Sequence, residues 1–234
     1  MTLSSLLGDR RERAYRVSVY RRGEPPEIET WLADHGVPVE ARSLPPGGPD
    51  PFVEIEADGE TVGVIGVEAI AGLLEPPIRR PGDGTEVSAG YRALFELFDQ
   101  TVFSGMNRRE LLAVSREIED RAFRVGAGTL RVIFQTLSTF RSQADVYRTL
   151  AAETDLDIHL YAVDDWSPPA IPGIEYHTDD AERFRPYWAL AYDGGSDGIQ
   201  ACGLLAEADS GAYTGFWTND PATVGEIAAA FDAG

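Results

Sequence analysis

Lysine is absent from all 234 residues: the 20 basic side chains are arginines, set against 39 aspartates and glutamates. Ordinary composition would give a chain of this length roughly a dozen lysines. Their absence excludes phosphate-loop and Schiff-base chemistry, both of which need a lysine amine. A net charge of −19 and a pI near 4.4 exclude a general binder of phosphate backbones and disfavour docking on anionic lipid. Cysteine is nearly absent too. With Cys202 alone there is no intramolecular disulfide, and a reducing compartment fits. No histidine lies near it in sequence, so a small buried hydrophobe is expected rather than a nucleophile. No apolar run approaches the length of a membrane span, and the first residues lack the basic and apolar regions of a leader. A soluble, cytoplasmic protein without membrane insertion is expected.

What is present is a dispersed acidity over a folded core. Carboxylates run from Asp9 to Asp232, interleaved with apolar stretches such as Val62 to Val67 and Leu130 to Phe134, and the apolar fraction is 43%. Acid spread over a surface, with arginine in place of lysine, suits molar salt, where the Debye length falls to about 3 Å and self-repulsion is screened. The composition points to a halophile's cytosol, that of a haloarchaeon. The competing explanation is an acidic protein from a GC-rich genome.

Hydrophobic periodicity predicts an α/β fold, a mixed sheet with flanking helices. Ala14 to Tyr20 alternates as a strand, Pro25-Pro26 opens a helix that stops at Gly36, and Val37 to Ala41 is a second strand. Phe52 to Ala57 and Thr61 to Val67 form a hairpin across Asp58-Gly59, and Glu68 to Leu74 is a short helix. Pro76 to Gly84 reads as a linker, dividing residues 1–84, an N-terminal α/β subdomain, from residues 85–234. Beyond it Ala89 to Phe98 is helical. A longer helix opens on the capping box of Asn107 and Glu110 and ends at Gly126, with an apolar stripe of Leu111, Val114, Ile118, Ala122 and Val125. A strand (Thr129 to Gln135), a helix (Thr139 to Ala152) and a strand (Asp157 to Val163) make a β-α-β unit. Strands at Ile174 to His177, Tyr187 to Tyr192, Ile199 to Ala206 and Ala212 to Trp217 follow, then a helix from Pro221 to Phe231. Phe52 to Glu68 and Tyr187 to Leu205 share a strand, an acidic-glycine turn and a strand. This suggests two similar β-α-β-β-β-α halves, although chance recurrence of hairpin grammar explains the match equally well.

The helix from Asn107 to Gly126, Phe134-Gln135, Phe140, the run Tyr147 to Ala151, and Phe216 to Asp220 with Val224 together resemble the DICT family over about the last 130 residues. This is a sensory domain named for its occurrence with diguanylate cyclases and in two-component proteins. The first 84 residues resemble the N-terminal half of haloarchaeal members. The resemblance implies a signal-input module that binds a ligand or a partner and sits beside cyclase, phytochrome-type or DNA-binding regions. It carries no catalytic residues across. No cyclase, kinase or helix-turn-helix segment is recognisable in the chain, so output is expected through another protein: a kinase, a transcription factor or a photoreceptor.

A ligand pocket in such a sheet is expected outside the carboxyl ends of the strands. Those ends supply Gln135, then Asp164, Asp165 and Trp166, and finally Trp217, Thr218, Asn219 and Asp220. An amide, acids and a stacking indole suit a small planar polar ligand. Against this, Asn219 or Asp220 caps the last helix and Asp164 turns the chain. His35 sits at a helix end and is expected to meet its last carbonyls. His159 and His177 lie on or at the end of strands, with Asp179 and Asp180 beyond. No local metal-ligand spacing is present, so no metal is expected and no cofactor is implied. Arg116, Glu117, Glu119, Asp120, Arg121 and Arg124 read as a solvated, ion-paired helix face. Ser115 falls by the apolar stripe and lacks nucleophile-elbow glycines. The leading expectation is therefore a non-enzymatic sensor or adaptor. The alternatives are an enzyme acting on a nucleotide or small acid at the same strand ends, and a homo-oligomeric interaction protein such as a homodimer.

Overall fold

The computed structural model describes residues 2–11, 15–57, 59–71, 95, 98–178 and 181–232. The expected boundary at 84/85 and the bodies of the expected linker and of the helix from Ala89 to Phe98 fall outside them. Two mixed sheets carry flanking helices, as the periodicity predicts. The first is built by β1 (Tyr15–Arg21), α2 (Glu27–Asp34), β2 (Val39–Ser43), β3 (Phe52–Ala57), β4 (Glu60–Gly66) and α3 (Val67–Ala71), following α1 (Leu3–Arg11). Its order is β2-β1-β3-β4, with β1 and β2 parallel and the other pairs antiparallel. Val53 and Ile55 on β3 are fully buried while Glu54 and Glu56, each next in the chain, are not, the alternation of a sheet covered on one face.

The second sheet follows from β5 (Phe103–Met106), α4 (Arg108–Val125), β6 (Ala127–Thr136), α5 (Leu137–Phe140), α6 (Ala144–Glu153), β7 (Asp155–Val163), β8 (Ile174–His177), α7 (Ala181–Phe184), β9 (Tyr187–Tyr192), β10 (Cys202–Asp209), β11 (Ala212–Thr218) and α8 (Pro221–Asp232). Its order is β5-β11-β10-β9-β6-β7-β8. Here Cys202 to Ala206 are buried in succession rather than alternately, because both faces are covered. One apolar cluster joins a face of this sheet to α4, α6 and the first sheet. The other lies on the opposite face under α1 and α8, where Leu6 and Leu7 meet Leu205, Ile227 and Phe231. The N-terminal helix thus packs against the C-terminal sheet.

The two sheets are clamped together at α2. Trp31 stacks on His35 and tilts against Phe103 of β5, and Ser104 donates both its N–H (2.9 Å) and its hydroxyl (3.1 Å) to the His35 carbonyl. The helix ends at Gly36 with φ +74, where a Cβ would overlap the Ser104 hydroxyl, so glycine is required twice over.

Candidate functional site

The local sequence fixes α4 tightly. The Asn107 side chain accepts from the N–H groups of Arg109 (2.8 Å) and Glu110 (3.1 Å), Glu110 accepts from the Asn107 N–H at 2.8 Å, and Gly126 closes the helix in the left-handed region. Its apolar stripe lies on the sheet. The adjoining face overturns the expectation of a solvated ion-paired surface, because Arg116, Glu117 and Glu119 are only 7%, 3% and 2% exposed. Gln143 and Tyr147, at the start of α6, cover Arg116 and Glu119, and each charge on the face is matched. Arg116 donates to Glu119 and to the Gln143 side-chain oxygen, and Tyr147 donates to Glu119 at 2.6 Å. Glu117 lies 3.7 Å from Arg121 and 3.8 Å from Arg124. Only the rim keeps the expected form, with Arg124 at 3.0 Å from Asp120. The tyrosine is held protonated: burial, the Glu119 charge and the hydrogen bond to it all push the Tyr147 pKa well up.

This cluster borders a pocket roofed by α4 and α6 and floored by β6 and β9. Arg108, Leu112, Ser115, Arg116, Phe134, Gln135, Thr139, Gln143 and Trp188 line it, around a cavity of about 30 Å³. Trp188 donates to the Ser115 hydroxyl at 2.9 Å, which itself donates to the Leu111 carbonyl, so that serine is occupied structurally. Arg108 stands over the Trp188 ring at 5.4 Å. Two of the three kinds of nitrogen on Arg116 are used; its Nε is buried without a hydrogen-bond partner among the described residues. A buried N–H left unpaired costs free energy that an acceptor on a bound molecule would recover.

Of the residues expected to converge on a ligand, Gln135 lines this pocket. Asp164 is exposed, and Asp165 accepts from the N–H (2.8 Å) and hydroxyl (2.5 Å) of Ser138, fixing the turn into α5. Trp166 is half-buried with Arg141 over its ring at 5.6 Å. Trp217, Thr218 and Asp220 do not join them. β11 is antiparallel to β10, which is antiparallel to β9, itself antiparallel to β6, so β11 ends at the opposite edge of the sheet from β6 and β7. There Trp217 is buried between Phe95 and Phe103 and donates to the Phe95 carbonyl at 2.9 Å. The fully buried Thr218 accepts from the Asp220 N–H at 3.0 Å, and Asp220 accepts from the Thr223 N–H at 3.0 Å as the cap of α8. Asn219 accepts from Arg121 at 2.8 Å.

A second polar junction joins the two sheets. The Glu110 carboxylate, besides capping α4, accepts from Trp31 at 3.1 Å and lies 3.1 Å from His35 Nε2, while His35 Nδ1 meets the Trp31 carbonyl at 2.7 Å. The carbonyl contact is the one expected of a histidine at a helix end; the carboxylate contact joins segments 75 positions apart and leaves no sequence signal. Burial opposes the charged ring, but the Glu110 hydrogen bond, the carbonyl and the nearby acids leave the His35 pKa raised. Burial likewise opposes the Glu110 carboxylate, and His35 and the Asn107 N–H leave its pKa lowered. Cys202 is fully buried on β10, and burial pushes its thiol up to about 12, the state of an inert side chain. No helix among the described residues is long and apolar enough to cross a membrane.

No curated protein matches the chain. The crystal structure of polyphosphate kinase from Porphyromonas gingivalis is similar over 98% of this chain and 47% of its own length, at 13% identity and a TM-score of 0.37; a likeness this weak carries no argument. The model of the family DICT, described as the sensory domain in diguanylate cyclases and two-component systems, matches residues 93–208. The match starts before α4 and stops within β10, so it contains every residue lining the Arg116 pocket and leaves out Trp217, Thr218 and Asp220. The pocket therefore lies wholly within the segment that matches the model of the DICT family of sensory domains.

Proposed function

We propose that the protein is a cytoplasmic signal-input module of a salt-adapted cell that binds a small planar ligand in the Arg116 pocket and passes the change to a partner protein without catalysing a reaction. The buried, unpartnered Nε–H of Arg116, a residue that lines a pocket with Gln135 and Trp188, is the observation that carries this reading. A carbonyl or anionic oxygen on the ligand would take that N–H, a guanidinium being suited to such acceptors. Phe134 and the Trp188 indole supply flat apolar walls. A non-catalytic role is favoured by the state of the acid–base groups. Tyr147 is held protonated and Glu119 is already engaged by two donors, so neither is poised as a general base. The absence of lysine and the net charge of −19 support a cytosol rich in salt.

The test is a thermal-shift screen of the full chain in molar KCl against nucleotides, flavins and aromatic acids. A ligand present at a hundred times its dissociation constant should raise the melting temperature by about 5–10 °C. Gln135→Leu and Arg116→Met should abolish that shift. Turnover of any stabilising compound, or a shift that both variants retain, would refute the reading.

A further inference from the structure

We infer that His159, Glu175 and His177 form a binding site for a first-row transition dication. The parallel register of β7 and β8 sets His159 opposite Glu175 and Tyr161 opposite His177, and residues two apart on a strand share a face. Two imidazoles 18 positions apart in sequence thus converge. His159 Nδ1 lies 3.0 Å from His177 Nε2, with the Glu175 carboxylate 3.6 Å from the first and 3.7 Å from the second. Tetrahedral zinc with bonds of about 2.0–2.1 Å holds its ligand atoms about 3.3–3.4 Å apart, and these spacings, measured to Oε2 from His159 and to Oε1 from His177, are near that size.

The surroundings orient the ligands. Asp157 Oδ2 sits 3.1 Å from His159 Nε2, so that nitrogen carries the proton and Nδ1 turns its lone pair towards His177, the carboxylate–histidine arrangement that supports bound metals. The Tyr161 ring stacks on His177 with centroids 4.5 Å apart and fixes its plane. Arg131, paired with His159 in register, faces Asp232 at 3.6 Å. β8 is an edge strand and the Glu175 side chain is 63% exposed, which leaves a fourth position for water or a partner's side chain. Two imidazoles and one carboxylate select zinc-like ions over magnesium and calcium, which take oxygen ligands. The absence of any short ligand motif in the sequence is explained by strand pairing, which no local spacing reports.

Titration calorimetry with zinc sulfate on the full-length protein, stripped with EDTA and held in molar KCl, should give one ion per chain, with no matching binding of magnesium. Asp157→Asn should weaken binding by about 10- to 100-fold. His177→Ala should abolish it. Because that histidine also packs on Tyr161, Glu175→Ala serves as the variant at an exposed side chain: it should keep the wild-type circular dichroism and still lower zinc affinity. Absence of stoichiometric zinc binding, or an affinity unchanged in folded His177→Ala and Glu175→Ala, would overturn the site and assign any uptake to the diffuse acidic surface.

Discussion

The order β2-β1-β3-β4 and the order β7-β6-β9-β10 carry the same parallel and antiparallel pairings, yet the two sheets are finished in opposite ways. The first is covered on one face. Its other face bears Tyr20 stacked on Phe52, the carboxylates Glu54 and Glu56, and a Val64 that is 57% exposed. The second gains β5, β8 and β11, packs α4 and α6 on one face and α1 and α8 on the other, and buries charges between its elements. A second helix laid over the first, as α6 is over α4, is what turns polar residues on a helix into a desolvated cluster. A sheet with one wet face lets its polar side chains stay hydrated, so the same residue types cost little there.

That contrast is broken most severely by removing one partner from the buried cluster. Glu119→Ala would leave Arg116 buried and uncompensated and take away the acceptor for Tyr147. The expected loss is about 3–5 kcal/mol, read as a lower midpoint in guanidinium unfolding. A loss below about 1 kcal/mol, the ordinary worth of an exposed pair, would mean that the face of α4 under α6 is as wet as its composition suggests.

The same contrast explains what could be read from the sequence. The limits of α4 were legible because a capping box and a terminal glycine are local devices, and most strands followed from alternation or short apolar runs. The burial of Arg116, Glu117 and Glu119 was not, since a polar residue on a helical wheel looks solvated until a second layer covers it. α1 left a weak trace in Leu3, Leu6 and Leu7, and β5 left less, its four residues alternating neither in burial nor in chemistry. Gln135 reached the pocket because it ends a strand beside α4. Trp217, Thr218 and Asp220 did not, because the direction of β11 depends on pairings between distant segments. The apposition of His159 and His177 depends on pairing in the same way.

The junction between the sheets should show an intermediate effect with a pH signature. His35 has a raised pKa, so its contribution is complete below the ordinary histidine value near 6.5 and is lost as pH rises through its folded value. Glu110 has a lowered pKa, so its contribution is complete above the ordinary value of 4.5 and is lost as pH falls through its folded value. The pair therefore stabilises most between those two ordinary values and weakens on either side. His35→Gln should cost about 1.5–3 kcal/mol near pH 6 and less near pH 8, flattening that limb of the stability profile measured by urea unfolding. A parallel offset at both pH values would show that the ring acts by packing alone.

The smallest effect is expected on the first sheet. Arg21 and Glu29 lie 2.8 Å apart with side chains 24% and 20% exposed, a pair geometrically as good as those on α4 but open to water. Arg21→Ala should cost about 0–1 kcal/mol, and what it does cost should shrink as salt is raised. The loss in Glu119→Ala should persist in molar KCl because its charges are shielded from ions by the protein itself. Equal salt dependence in the two variants would remove burial as the reason for the difference. Diverging dependence would place the distinction in the burial between α4 and α6, since both pairs have short contacts and only one is sealed between layers.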